Sequence, residues 1–195
     1  MKGDGHQFLM TGSSTQAANV SLYKTLPFDP EKDFAPIASM ATVPYILVVN
    51  PARVPVSTFQ EFVAFVKSRP GELSYASSAI TGRLAGEILK QRMGLQATFV
   101  PYKTLAQVVS DIIGGHLDYA FGDPQGYLPH VHSGRLRAIA VTTRARIAAA
   151  SDIPTLAESG VADFDVSAWL ALYGKAGMPA FAIQRFNQLI NEVLE

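Results

Sequence analysis

The chain has 195 residues, 48% hydrophobic and 16% charged, a balance that builds a packed core and argues against a disordered segment. Its 16 basic and 16 acidic residues cancel, which speaks against a nucleic-acid binder, and the absence of cysteine removes disulfides, thiol catalysis and Cys-based zinc sites. No run approaches the ~20 apolar residues of a membrane span, and the first residues lack the apolar stretch of a signal peptide.

Taken in chain order, strand and helix signals alternate. Gly3-Asp4-Gly5 leads at once into a strand over 7–11, as though the chain began in mid-fold, and a short helical stretch follows to about Tyr23. A Pro-containing connection leads to an extended stretch at 35–41 and to a buried strand at 45–49. Ser57 with Gln60 and Thr58 with Glu61 form overlapping capping boxes, and the helix behind them places Phe59, Phe62, Val63 and Val66 on one face. Arg69-Pro70-Gly71 stops it. Strand–helix units are then expected at 73–76 with 81–92 and at 97–101 with 105–113. The strand at 117–121 leads to a helical segment at 127–133. A strand at 136–142, an extended run at 164–173 and a terminal helix from Pro179 complete the series. Such alternation implies an α/β fold with βαβ units and parallel sheets.

Sheets of this kind bind ligands outside the carboxyl ends of their strands. Three strand-to-helix corners are rich in small or hydroxylated residues: Gly12-Ser13-Ser14-Thr15, the Ala76–Gly82 corner with Ser77, Ser78 and Thr81, and Tyr102-Lys-Thr-Leu105. A fourth corner, Gly122-Asp123-Pro124, carries a carboxylate. The hydroxyls have two readings, ordinary helix caps or donors for a small anion, and this physics leaves them evenly matched.

Catalytic and metal-binding readings are weaker. Serines, aspartates and four histidines are present, but there is no Gly-x-Ser-x-Gly elbow, and no catalytic residue is expected. His130 and His132, two apart on a helix, share no face and have no third ligand at a recognisable spacing, so no metal or other cofactor is expected. Arg135, Arg137, Arg144 and Arg146 read as a solvated strand rim, and Trp169 as a packing residue.

Ordered stretches along nearly the whole chain carry a resemblance. They include Leu26-Pro-Phe-Asp-Pro30, Asp33-Phe-Ala-Pro-Ile37, Leu47-Val-Val-Asn-Pro51, Val100-Pro-Tyr-Lys103, Asp111-Ile-Ile-Gly-Gly115, Gly134-Arg-Leu-Arg-Ala-Ile-Ala-Val-Thr142 and Ile153-Pro-Thr-Leu-Ala-Glu-Ser-Gly160. In this order they resemble the Bug family, the periplasmic solute-binding receptors of tripartite tricarboxylate transporters. The resemblance implies a type II periplasmic-binding-protein-like fold whose two α/β lobes close on a small carboxylate: a di- or tricarboxylate, an acidic amino acid or an aromatic acid. It also implies a periplasmic location and membrane transporter subunits as partners. Mapped onto this chain, Gly12, Ser13, Ser14 and Thr15 match the first-lobe corner, and Ala76, Ser77, Ser78, Thr81 and Gly82 the second. Asp123 stands one place later than the family's aspartate, positioned to meet a ligand amino group or to repel a carboxylate, and Arg83 replaces a common histidine. Family members are longer at both ends. The expectation is therefore a shortened chain with a complete parallel or mixed-sheet lobe at 58–142 and a partial lobe from 1–57 and 143–195. A homodimer is one way to cover the gap. Two other readings stay open: a module of the same family that folds without binding, and, least favoured, a serine hydrolase.

Overall fold

A computed structural model describes residues 6–194, so the Gly3-Asp4-Gly5 opening lies outside the described residues. The chain divides into two compact units, residues 1–43 with 168–195 and residues 44–167.

Unit 1 carries a three-stranded antiparallel sheet in the order β1-β8-β2, from β1 (Phe8–Gly12), β2 (Phe34–Val43) and β8 (Ala168–Lys175). The central strand β8 is antiparallel to both neighbours, and Pro36 sits in an edge strand, where a missing N–H is tolerated. A short helix α1 (Asn19–Leu22) lies between β1 and β2, and the terminal helix α6 (Ala180–Leu194) lays Ile183, Phe186 and Ile190 over Ile37, Ala38 and Met178. Phe8 meets Phe186 edge to face at 4.6 Å, and Asn187 Nδ2 donates to Ile37 O at 2.7 Å. Phe8, Leu9 and Met10 nonetheless stay exposed along the edge strand, as do Leu189 and Val193 of α6.

Unit 2 is a three-layer α/β unit. Its five-stranded sheet has the order β5-β4-β6-β3-β7, built from β3 (Ile46–Val49), β4 (Ser74–Ser77), β5 (Thr98–Pro101), β6 (Tyr119–Gly122) and β7 (Arg137–Val141). β4 runs parallel to β5 and β6, whereas β3 is antiparallel to β6 and β7, so the sheet is mixed. β3 shows why its sequence is continuously apolar: Leu47 and Val49 enter one core while Ile46 and Val48 enter the other. Helices α2 (Phe59–Lys67) and α3 (Ile80–Met93) cover the first face, and α4 (Leu105–Ile113) and α5 (Pro124–His132) the second.

The joints between the units differ from the expected ones at 57/58 and 142/143 and fall at 43/44 and 167/168. The reason is packing. β3 is an inner strand of the second sheet, and the stretch after β7 returns to the same core through Leu156, Val161 and Phe164. Thr142 ties this return down, with Oγ1 donating to Val166 O at 2.6 Å and accepting from Tyr45 N–H at 3.2 Å.

Tyr75, Tyr119 and Phe62 form the aromatic centre of this core. Tyr75 stacks on Tyr119 at 5.3 Å, Phe62 meets Tyr119 at 5.1 Å, and Tyr75 Oη donates to Glu87 Oε1 at 2.6 Å. Burial pushes the phenols of Tyr75, Tyr119 and Tyr127 well above the ordinary tyrosine range. Tyr102 is pushed up to about 12, chiefly because its O–H donates to Asp111. A tyrosine raised in the fold contributes stability that is fully present below its unfolded value of about 10 and is lost as pH rises through the folded one. The buried Tyr75, Tyr119 and Tyr127 are therefore expected to form tyrosinate together with loss of the far-ultraviolet circular dichroism in an alkaline titration. Full tyrosinate absorbance while the dichroism is intact would contradict the buried placement.

Candidate functional site

The parallel pairs Ser77↔Pro101 and Ala76↔Ala120 bring the carboxyl ends of β4, β5 and β6 to one edge of the unit 2 sheet. Because Ile46 pairs with both Gly122 and Val141, Tyr45 and Thr142 reach the same edge. Three sequence-predicted corners, Ala76–Gly82, Tyr102–Leu105 and Gly122–Asp123, thus share one rim.

The four helices of unit 2 start differently. Thr58 caps α2 by accepting from Glu61 N–H at 3.2 Å, and Glu61 Oε2 accepts from Ser57 N–H at 2.7 Å, which selects the Thr58 box over the Ser57 one. Thr104 caps α4 through Gln107 N–H at 3.3 Å, and Asp123 caps α5 through Gln125 N–H at 2.9 Å. Only α3 has no side-chain cap: its N-cap is Ala79. The Ser77 hydroxyl is spent in its own turn, accepting from Ala79 N–H at 3.2 Å and donating to Ala79 O at 3.1 Å. The first-turn amides of Ile80, Thr81 and Gly82 precede the first intrahelical bond, Arg83 N–H to Ala79 O, and are left for an outside acceptor.

A close approach holds this open start over the strand ends. A Cβ at Gly82 would lie 2.2 Å from Ser77 Oγ and 3.0 Å from Phe121 O, and one at Gly86 would lie 2.3 Å from the Tyr75 ring. Glycines one turn apart let α3 sink onto β4 and β6.

Each predicted residue can now be located. Ser77, Thr81 and Gly82 are buried at the α3 start, Ser78 is half-buried beside them, and Asp123 is half-buried at the neighbouring α5 start. Ala76 points its methyl into the core with Ile46 and Val108, so only its backbone belongs to the corner. The Tyr102–Leu105 corner is committed elsewhere, with Thr104 capping α4 and Tyr102 Oη donating to Asp111 Oδ2 at 2.5 Å. Arg83 is exposed, its guanidinium 4.8 Å from the centre of the Phe99 ring.

Two residues join the corner that sequence reasoning did not single out. The Tyr45 hydroxyl is within hydrogen-bonding reach of the Thr81 side chain, and its pKa is raised first by burial and further by the Asp123 charge. Tyr127 Oη is fully buried with no partner, its ring against Gly122. Tyr45 lay hidden in an apolar run, and nothing local to Tyr127 marked it.

The Gly12–Thr15 corner belongs to unit 1. Gly12 ends β1 opposite Leu170, where a Cβ would lie 2.6 Å from Trp169 O. Ser13 precedes a π-helical turn at Ser14–Ala18, a geometry often kept for function. Ser13 Oγ and both polar atoms of the Gln16 amide are out of solvent and unpartnered, and Gln16 too escaped the sequence reading. Among the described residues, no three His, Asp or Glu side chains come together as a metal site. None of the described helices is long and apolar enough to cross a membrane.

The fold is that of periplasmic binding proteins. A structure from R. palustris with adipate is 31% identical, superimposes with a TM-score of 0.86, and covers 97% of this chain and 64% of its own. MatC from Rhodopseudomonas palustris with bound malate is 25% identical with a TM-score of 0.80, covering 98% and 66%. The BugT protein of Bordetella pertussis is 31% identical over 98% of this chain and 60% of its own length. Residues 2–195 match the tripartite tricarboxylate transporter family receptor, TctC, and the chain belongs to that family of periplasmic solute-binding receptors. It spans about 60% of the length of the curated relatives it matches. These comparisons lend no support to the homodimer expected from the sequence.

Proposed function

We propose that the chain captures a small carboxylate and, with the rest of the receptor machinery, delivers it to the membrane components of a tripartite transporter. The observation that carries this reading is the open start of α3, whose amides face no side-chain cap while α2, α4 and α5 each have one. A helix start with free N–H groups and a favourable dipole is a ready anion site. Thr81 and Ser78 add hydroxyls, Gly82 gives close backbone approach, Ser77 shapes the turn, and the backbone at Ala76 and the Asp123 corner complete the rim. Unit 1 carries a polar corner of its own at Gly12–Thr15, with Ser13, Ser14 and the unpartnered Gln16 amide. The family's TctC membership and relatives bound to adipate and malate support an acid as the ligand.

Thermal unfolding with a panel of mono-, di- and tricarboxylates, acidic amino acids and aromatic acids tests this. A ligand at ~100 times its Kd that binds only the folded chain adds about 2.7 kcal/mol, a readily seen shift in Tm. Thr81→Val is expected to weaken the active acid about tenfold, equivalent to about 1.4 kcal/mol, while leaving the ligand-free Tm within a few degrees. A cooperative transition that no acid moves would favour a folded module without binding.

A further inference from the structure

We infer that the groove between α4 and α5 in unit 2 docks a short amphipathic helix of a partner protein, one that carries a carboxylate on its apolar side. The inference goes beyond the carboxylate reading above and uses none of the residues at the α3 start.

α4 presents more apolar surface than the core takes up. Val108 and Ile112 are fully buried against the second face of the sheet. A second stripe, Leu105, Val109 and Ile113, repeats every four residues beside it and stays half-buried. It forms one wall of a groove of about 580 Å³, and Gly126 and His130 of α5, with Arg135 just beyond that helix, form the other. The walls touch near the helix starts, since a Cβ at Gly126 would lie 2.3 Å from Leu105 Cδ2. Both helices are nine residues long, about 13 Å, which leaves room for about two turns of a third helix packed ridge into groove.

Charge decides what that ridge carries. Among the described residues, no acid lines the groove. Asp111 of α4 already accepts from Tyr102 Oη, and Asp123 caps α5. The other arginines of this region are committed: Arg137 Nη1 donates to Val56 O at 2.7 Å, and Arg146 pairs with Glu158 at 2.9 Å. Arg135 is different. It is exposed, its Nε donates only to the neutral Ser133 Oγ at 3.1 Å, and no salt bridge reaches it among the described residues. An apolar wall ending in an unpaired guanidinium is complementary to an apolar ridge ending in an acid.

An independent observation lies in the same wall. His130 Nδ1 is out of solvent and has no hydrogen-bond partner, a state that buried polar atoms rarely keep. A carboxylate brought in on the ridge gives Arg135 a charge-assisted bond and offers the imidazole nitrogen, protonated there, an acceptor. A wholly apolar ridge leaves both groups as they are, and a basic one meets Arg135 as a like charge.

The probe is a set of three blocked synthetic helical peptides of about 15 residues, alike in one leucine stripe and carrying Glu, Gln or Lys beside it. Each is titrated into the folded chain and followed by backbone amide NMR. The Glu peptide is expected to bind about tenfold more tightly than the Gln peptide and to move the amides of 105–113 and 126–135 most. Arg135→Glu, at an exposed position, should reverse the order so that the Lys peptide binds best. Equal binding of the three, an order unchanged in Arg135→Glu, shifts centred on the exposed Phe8–Met10 edge, or no binding by any peptide overturns the inference. Self-association of the free chain that protects the same groove amides would make a second copy the occupant and overturn it as well.

Discussion

Replacing Asp118 with alanine is expected to cost about 3 kcal/mol of folding stability, enough to lower Tm by many degrees in a domain of this size. The carboxylate is 3% exposed and fully engaged. Oδ1 accepts from Arg53 Nε at 3.1 Å and Nη2 at 3.0 Å, and Oδ2 accepts from Ser74 N–H at 2.8 Å and from Ser74 Oγ at 3.2 Å. Removing it strands a buried backbone donor at the start of β4 and a guanidinium at once, the costly side of a buried polar group. Asp118 also sits at the amino end of β6, opposite the rim, so the loss loosens the start of β4 against β6. Arg53→Met should cost less than half as much, because that side chain is half exposed and its departure leaves the Ser74 bonds intact. Urea unfolding of both variants checks the ordering. Equal losses would mean that the ion pair, not the buried carboxylate with its Ser74 bonds, carries the stability.

Gly82→Val is expected to be nearly as damaging, by about 2–3 kcal/mol, and to abolish acid binding as well. The new Cβ would collide with Ser77 Oγ at 2.2 Å, Ser77 Cβ at 2.9 Å and the Phe121 carbonyl at 3.0 Å. Ser77 is held by its bonds to Ala79 and Phe121 O belongs to a central strand, so α3 must lift. Its open amides then leave the plane of the rim. Gly71→Ala is the useful contrast. No atom lies within 4 Å of its Cβ, but its φ of +79° strains any side chain, so it should lose some stability and no binding. If Gly82→Val bound acids normally, the start of α3 would not be the site.

Much of this arrangement was legible in the chain. The helix expected at 105–113 is α4 as observed, because Thr104 caps it, Val108 and Ile112 repeat at four-residue spacing, and Gly114-Gly115 ends it. The Phe59, Phe62 and Val66 face of α2 was equally plain, since a narrow apolar stripe behind a capping box has one stable burial.

Other features depended on contacts distant in sequence. The 45–49 run is buried on both faces, and such a run reads the same whichever way the strand points, so β3's reversal and the mixed sheet were hidden. That same strand moved the joint between units from 57 to 43. α5 starts at Pro124, not near Tyr127; an Asp before a Pro is the signature of an N-cap followed by N1, and it was the available signal. At the candidate site, the cap reading of the hydroxyls does not hold for Ser77. Ser77 does not cap α3 but closes its own turn, and it is the absence of a cap that leaves the amides open. Tyr45 and Tyr127 come from 32 residues before and 50 residues after Ser77, and only the fold brings them beside it.

The most direct test follows backbone amides by NMR while malate, the ligand of a related structure, is added to the folded chain. The account predicts that in unit 2 the largest shifts fall on the amides of Ile80, Thr81 and Gly82, the first turn of α3. Shifts centred on the capped start of α2 or α4, with the α3 start unmoved, would contradict it.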